Sequence, residues 1–224
     1  MKPKQSLFAL VGTFALATVS LHGQTFTEIG DAGQTLGTAQ DSGLVVSAST
    51  VSIFGTIGFP TDADVFSIVV TNPMMFTATT VNGSTLDTAL FFFNSLGRAI
   101  YTNDDASGVS LQSTLPGGTS FTMSLAPGLY YIAISLSGNE PVNSNGQLLF
   151  LPYAGGDPTS VRGAAAGVNP NTLASFNGLT SFGETGAYRI DLRTVPEPST
   201  TALCLAGAGA IAFLLRKRRH GGSA

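Results

Sequence analysis

An all-β fold, an antiparallel β-sandwich of jelly-roll-like connectivity, is what this 224-residue sequence predicts. Three observations carry it. Apolar residues recur with a period of two through the middle of the chain. Clusters of Gly, Pro and Asn interrupt them at intervals of about eight to twelve residues. Between Gln24 and Thr194 there is no helix-length amphipathic pattern.

Taken in order, the predicted strands are Leu44–Ile57, Val65–Thr71, Met75–Val81, Thr88–Asn94, Arg98–Thr102, Phe121–Leu125, Tyr130–Leu136, Gln147–Leu151 and Tyr188–Leu192. The first is long, and Gly55 near its end marks two strands or a bulge. In the last, Tyr188, Ile190 and Leu192 alternate with Arg189, Asp191 and Arg193, one face for a core and one for water. Asn72-Pro73, Asn82-Gly83, Ser95-Leu96-Gly97, Pro116-Gly117-Gly118 and Ala126-Pro127-Gly128 supply the turns. Gly138 to Gly186, with nine Gly and four Pro, reads as a long, mobile excursion that caps one edge or end of the sandwich. Tyr153, Arg162 and Phe176 are its expected contact points.

Hydrophobic residues make up 43% of the chain and charged residues 10%. The charge is segregated. Lys2, Lys4, Arg216, Lys217, Arg218 and Arg219 lie at the ends, whereas residues 24–194 hold four Arg, no Lys and twelve Asp or Glu, a net charge of −8. An acidic body offers no footprint for nucleic acid. Both His residues (His22, His220) and the single Cys204 are also terminal, and the chain has no Trp. Residues 24–194 therefore lack the imidazole, thiol and amine that Ser-His, Cys-His, Ser-Lys and Schiff-base chemistry require. They also lack the usual zinc ligands. Carboxylate chemistry and hard, oxygen-ligated cations remain. Paired carboxylates serve glycoside hydrolysis, but turn-forming Asp residues account for the acidic positions, and the sequence predicts no enzyme.

Residues 1–23 read as a secretory signal peptide. Lys2 and Lys4 precede an apolar run from Leu7 to Leu21, and cleavage after Ser20 or Gly23 are both open. At the other end, Val195-Pro196-Glu197-Pro198-Ser199-Thr200 precedes an uncharged run from Thr201 to Leu215 and the basic cluster Arg216-Lys217-Arg218-Arg219-His220. Prolines on both sides of Glu197 hold an extended segment. The apolar run rises only about 22 Å as a helix, a marginal transmembrane span helped by flanking residues and snorkelling basic side chains. The basic cluster keeps that end cytoplasmic.

This order of parts resembles the PEP-CTERM sorting signal, over about Val195 to His220. The resemblance implies recognition of Pro196, Glu197 and Pro198 by an exosortase, a membrane transpeptidase. It implies export through a secretion translocon and transient residence in the inner membrane as a single-pass protein with a cytoplasmic C-terminus. The family is typical of Gram-negative bacteria that make exopolysaccharide.

A second resemblance lies in the body. Asp62-Ala63-Asp64-Val65-Phe66, Leu86-Asp87-Thr88-Ala89-Leu90, Asn103-Asp104-Asp105 and Pro127-Gly128-Leu129-Tyr130-Tyr131-Ile132 follow one another. Their order resembles the bacterial pre-peptidase C-terminal (PPC) domain, a jelly-roll-like accessory of secreted proteins that is not itself an enzyme. Here no peptidase accompanies it.

Asp62, Asp64, Asp87, Asn103, Asp104 and Asp105 are candidate ligands for a structural Ca²⁺, which takes six to eight oxygens from such groups. Asp and Asn also close turns with no ion present. Tyr101, Tyr130, Tyr153 and Phe176 are candidates for exposed sugar-stacking faces. The expectation is an exported, non-enzymatic protein of the cell surface or extracellular matrix, structural or adhesive with exopolysaccharide. The alternative is a glycan-binding module, calcium-dependent or not.

Overall fold

The computed structural model describes residues 23–108, 110–180 and 183–194. The expected signal peptide, apart from Gly23, the Pro196-Glu197-Pro198 motif, the expected transmembrane segment and the Arg216–Arg219 cluster lie outside the described residues. Among those described, no helix is long and apolar enough to cross a membrane.

Among the described residues thirteen strands form in chain order. They begin with β1 (Thr25–Thr27), β2 (Gln40–Val46), β3 (Val51–Ile57), β4 (Ala63–Val70), β5 (Phe76–Thr79) and β6 (Thr88–Asn94). There follow β7 (Ala99–Asn103), β8 (Thr114–Leu115), β9 (Gly128–Leu136), β10 (Pro141–Val142), β11 (Arg162–Gly163), β12 (Ser175–Phe176) and β13 (Gly186–Thr194). The helical content among the described residues is two 3₁₀ turns, Pro73–Met75 and Ala154–Gly156.

One sheet runs β1-β3-β13-β5-β8 and another β11-β7-β6-β9-β4-β2, with β10 and β12 paired apart. The two large sheets enclose a common core. Ile53, Ile190, Leu192, Phe76 and Leu115 come from the first, and Phe66, Ile68, Phe92, Tyr101, Ile132 and Ile134 from the second. Phe92 stacks on Phe76 across the sheets at 4.4 Å and on Tyr130 within its own sheet at 5.0 Å. Each ring removes apolar surface worth about 1.5–3 kcal/mol from water.

The sheets are mixed, which corrects the purely antiparallel expectation. β1 pairs with β3, and β2 with β4, both in parallel. The cause lies in the predicted strand Leu44–Ile57. Chain residues 47–50 break it, and its halves join opposite sheets, so each must find its neighbour by a longer crossover. The residues of predicted strand Phe121–Leu125 form turns instead. Thr122 is fully buried and donates its hydroxyl to the Met74 carbonyl at 3.0 Å, while Met123 is exposed. The alternation holds in part: Phe121 and Leu125 pack against the core, while Thr122 takes the inward place of Met123, because its hydroxyl satisfies a backbone carbonyl. Gln147–Leu151 also forms no strand; only Leu148 and Phe150 make isolated bridges, to Val142 and Ala164.

The excursion extends an edge of the six-stranded sheet, where β11 pairs with β7, and also covers a face. Leu149, Phe150, Leu173 and Phe176 close a second core against Ala63, Val65, Ala89, Phe91, Phe93 and Ala133 on the outer face of the six-stranded sheet. This explains why β4 and β6 read as nearly continuous apolar runs: both their faces are buried.

Candidate functional site

The strand pairings bring the starts of β4 and β6 to the ends of β7 and β9. Every acidic candidate therefore gathers at one end of the six-stranded sheet, but in two groups.

The first group lies where the sheets open. Alternation along β4 turns Asp64 inward with Phe66 and Ile68, and its Oδ2 accepts the Tyr188 hydroxyl of β13 at 2.6 Å. Gly55 makes this contact possible: a Cβ there would collide with the Tyr188 phenol. Glu28 and Asp31, absent from the sequence-derived set, complete the group, with one carboxylate oxygen from each of the three within 4.8 Å of the others. Glu28 already accepts backbone N–H groups of Ala32 and Thr56, and Asp31 that of Gly33. Burial pushes Asp64 up to about 8, and Glu28, Asp62 and Asp31 add to the rise. Asp62 stands outside the trio; its Oδ2 accepts the Gly58 N–H at 2.7 Å.

The second group is Asp87, Asp104 and Asp105, again with one oxygen each inside a 4.8 Å span. Asp87 precedes β6, and the other two follow β7. Asp104 Oδ2 accepts the Ser137 hydroxyl at 2.9 Å and the Tyr153 hydroxyl at 2.6 Å. Tyr153 lies under the Arg162 guanidinium at 4.0 Å. Arg162 forms a buried ion pair with Glu140 at 2.7 Å. Burial, then Asp104, Asp105 and Glu184, push the Asp87 carboxyl up to about 7. Glu184 accepts the Asp87 N–H at 3.2 Å. Asn103 does not join this group: its Oδ1 accepts the Thr114 N–H and its Nδ2 donates to the Thr159 carbonyl.

Sequence reasoning found four of the six carboxylates in the two groups, Asp64, Asp87, Asp104 and Asp105, and missed Glu28 and Asp31, as it did the neighbouring Glu184. Glu28 and Asp31 do stand as an acidic pair just after β1, a signal present in the sequence. Glu184 is brought in only by the placement of β13.

Three of the four sugar-stacking candidates, Tyr101, Tyr130 and Phe176, are buried, and the fourth, Tyr153, is half-buried and held between Asp104 and Arg162. The outer face of the five-stranded sheet carries instead a groove of about 620 Å³, lined among others by Thr77, Thr79, Thr114, Arg189, Asp191 and Arg193.

The described body is nearly all β, its residues 24–194 hold no His, Lys or Cys, and its loops are acidic. Comparison with known families adds the tail: the PEP-CTERM protein-sorting motif matches residues 194–219. The match supports an exported, membrane-transiting protein that an exosortase processes. No curated protein matches the chain.

Proposed function

We propose that this chain is an exported, non-enzymatic protein of the cell surface or extracellular matrix, released from the inner membrane by exosortase processing near Pro196, Glu197 and Pro198. Its role is structural or adhesive, in contact with exopolysaccharide. The observation that carries the reading is the junction of fold and signal. The sorting motif begins at Thr194, the residue on which β13 ends. β13 is central, paired with both β3 and β5. Cleavage at the Pro-Glu-Pro therefore leaves every described strand of both sheets in place. The order of the Asp62, Asp87 and Asn103 motifs, with two sheets closing on one core, supports a jelly-roll-like sandwich resembling the PPC domain.

The topology also orients the body. Thr25 pairs with Ser52, and Leu192 with neighbouring Val51. Both ends of the body thus leave at the start of β3. Tyr188 and Glu28 sit by Gly55 and Thr56 at the other end of β3. β13 spans about 25–30 Å at roughly 3.3 Å per residue, so both acidic groups face away from a membrane that holds the tail.

The test is the intact mass of the protein in membrane and extracellular fractions, with and without a functional exosortase. The expected result is an extracellular form lacking both termini and a longer membrane form when the exosortase is absent. Full-length protein in the cytosol would overturn the reading.

The groove beside Arg189 and Arg193 favours a second reading, a glycan-binding module. It gathers two of the body's four Arg residues among threonine hydroxyls, a surface suited to an anionic sugar chain. Saturable binding of acidic exopolysaccharide, weakened by Arg193→Ala, separates this reading from a purely structural one.

A further inference from the structure

We propose that Asp87, Asp104 and Asp105 form a calcium site that fastens the Gly/Pro-rich excursion to the end of the six-stranded sheet. Three carboxylate oxygens converge within 4.8 Å. Proximity of acidic groups alone would mean little. What points to a ligand is that Asp87 Oδ1 and Asp104 Oδ1 are buried and accept no hydrogen bond among the described residues. Their residues are only 5% and 2% exposed. A buried acceptor left without a donor costs about 1–3 kcal/mol, more when charged. Two buried carboxylates that meet in one cluster, each with an oxygen lacking a donor, are explained by a cation that both ligate.

The surroundings select the ion. Asp104 Oδ2 is held by Ser137 and Tyr153, which fixes the carboxylate plane and leaves Oδ1 for the cluster. Arg162, the cation that acts on Asp104, is already paired with Glu140. The positive charge available from the protein is thus committed elsewhere, while Asp157 and Glu184 add negative field from two further segments. A donor set made of oxygen alone suits a hard divalent ion, and an irregular set drawn from separate loops suits Ca²⁺ better than octahedral Mg²⁺.

The site joins distant parts of the chain. Asp87 and Asp104–Asp105 belong to the sheet end. Tyr153 and the Pro158 carbonyl, which accepts the Asp105 N–H at 3.1 Å, belong to the excursion. Glu184 lies just before β13. An ion here locks the excursion over the second core. The inference is independent of tail processing.

The experiment is calcium binding by equilibrium dialysis and calorimetry on the full chain in detergent. Asp105→Asn is the main variant, because Asp105 is partly exposed and its loss leaves no buried hole. The parent is expected to bind Ca²⁺ with at least tenfold preference over Mg²⁺, and Asp105→Asn and Asp87→Asn each to lose one equivalent while keeping the parent's circular dichroism. Terbium gives a second readout, since the chain has no Trp and Tyr153 is the phenol bonded to this group. Tyr153→Phe should remove sensitised emission from this site, and Tyr188→Phe should not. A parent that binds no Ca²⁺, or folded Asp87→Asn and Asp105→Asn variants that bind as many ions as the parent, would overturn the proposal.

Discussion

Asp87 illustrates how a single side chain can change sign with its surroundings. Its carboxylate is desolvated and faces Asp104 and Asp105. Without a cation the three repel one another; with one, each is a ligand. Asn is nearly isosteric but uncharged. Asp87→Asn is therefore expected to raise the melting temperature in EDTA and to lower it in millimolar Ca²⁺. Each shift should be about 2–4 °C, which corresponds to roughly 1 kcal/mol in a body of this size. Thermal melts of parent and variant in the two buffers check it, and shifts of the same sign in both would contradict it. Gly55 works at the same scale from the other side. It is the missing Cβ, not a side chain, that lets the Tyr188 hydroxyl reach Asp64.

Among the elements, the excursion depends most on one ion pair and one ring. Arg162 and Glu140 are both buried, and the Arg162 Nη1 also donates to the Leu151 carbonyl. Removing one partner of a buried pair leaves the other uncompensated, at about 3–5 kcal/mol. Phe150 packs on Phe91 and Phe93, with centroids at 5.7 Å, and its truncation to Ala should cost about 3–5 kcal/mol. Because Phe150 touches only the outer core, the loss is expected to appear first as local opening. Hydrogen exchange in Phe150→Ala should quicken across residues 147–165 while β3, β9 and β13 keep their protection. Uniform loss of protection would mean that the layers unfold together. This layer is also where the sequence was least legible. Strands β6, β9 and β13 could be read from periodicity and turn residues, because water on one side or dense apolar runs mark them plainly. β10, β11 and β12 span two residues each and carry no period at all; they exist because the outer face of β6 needs cover. The acidic positions were legible as turn-flanking Asp residues. Their division into two groups was not, since it follows from which face of β4 or β7 each side chain leaves.

At the scale of the whole molecule, the acidic end sets how stability depends on pH. Asp64 faces Glu28 and Asp31 from the segment after β1, Asp62 beside it, and the Tyr188 hydroxyl from β13; its carboxyl is held up at about 8, and Asp87 at about 7. Burial also raises Asp62, Asp104 and Glu140. An unfolded chain releases carboxyl protons near pH 4, while in the folded body Asp87 holds its proton up to about pH 7 and Asp64 up to about pH 8. Between those limits the folded state binds more protons than the unfolded one, so stability falls as pH rises. The contribution is complete below about pH 4 and is lost as pH passes through 7 to 8. Asp41 and Asp157, lowered by hydrogen bonds from Gly43 and Ser67 and from Thr159, act the other way, but only below that window. In EDTA, then, the melting temperature is expected to drop by several degrees from pH 5.5 to pH 8.5. Asp64→Asn, which cannot ionise, should flatten part of that slope. Calcium should flatten another part by compensating the charges at Asp87, Asp104 and Asp105, so that the same body is held by protons in mild acid and by metal above neutrality. A melting temperature in EDTA that is level or rises across this range would show that the buried carboxylates ionise without strain, and with it the reason for a cation at this end would disappear.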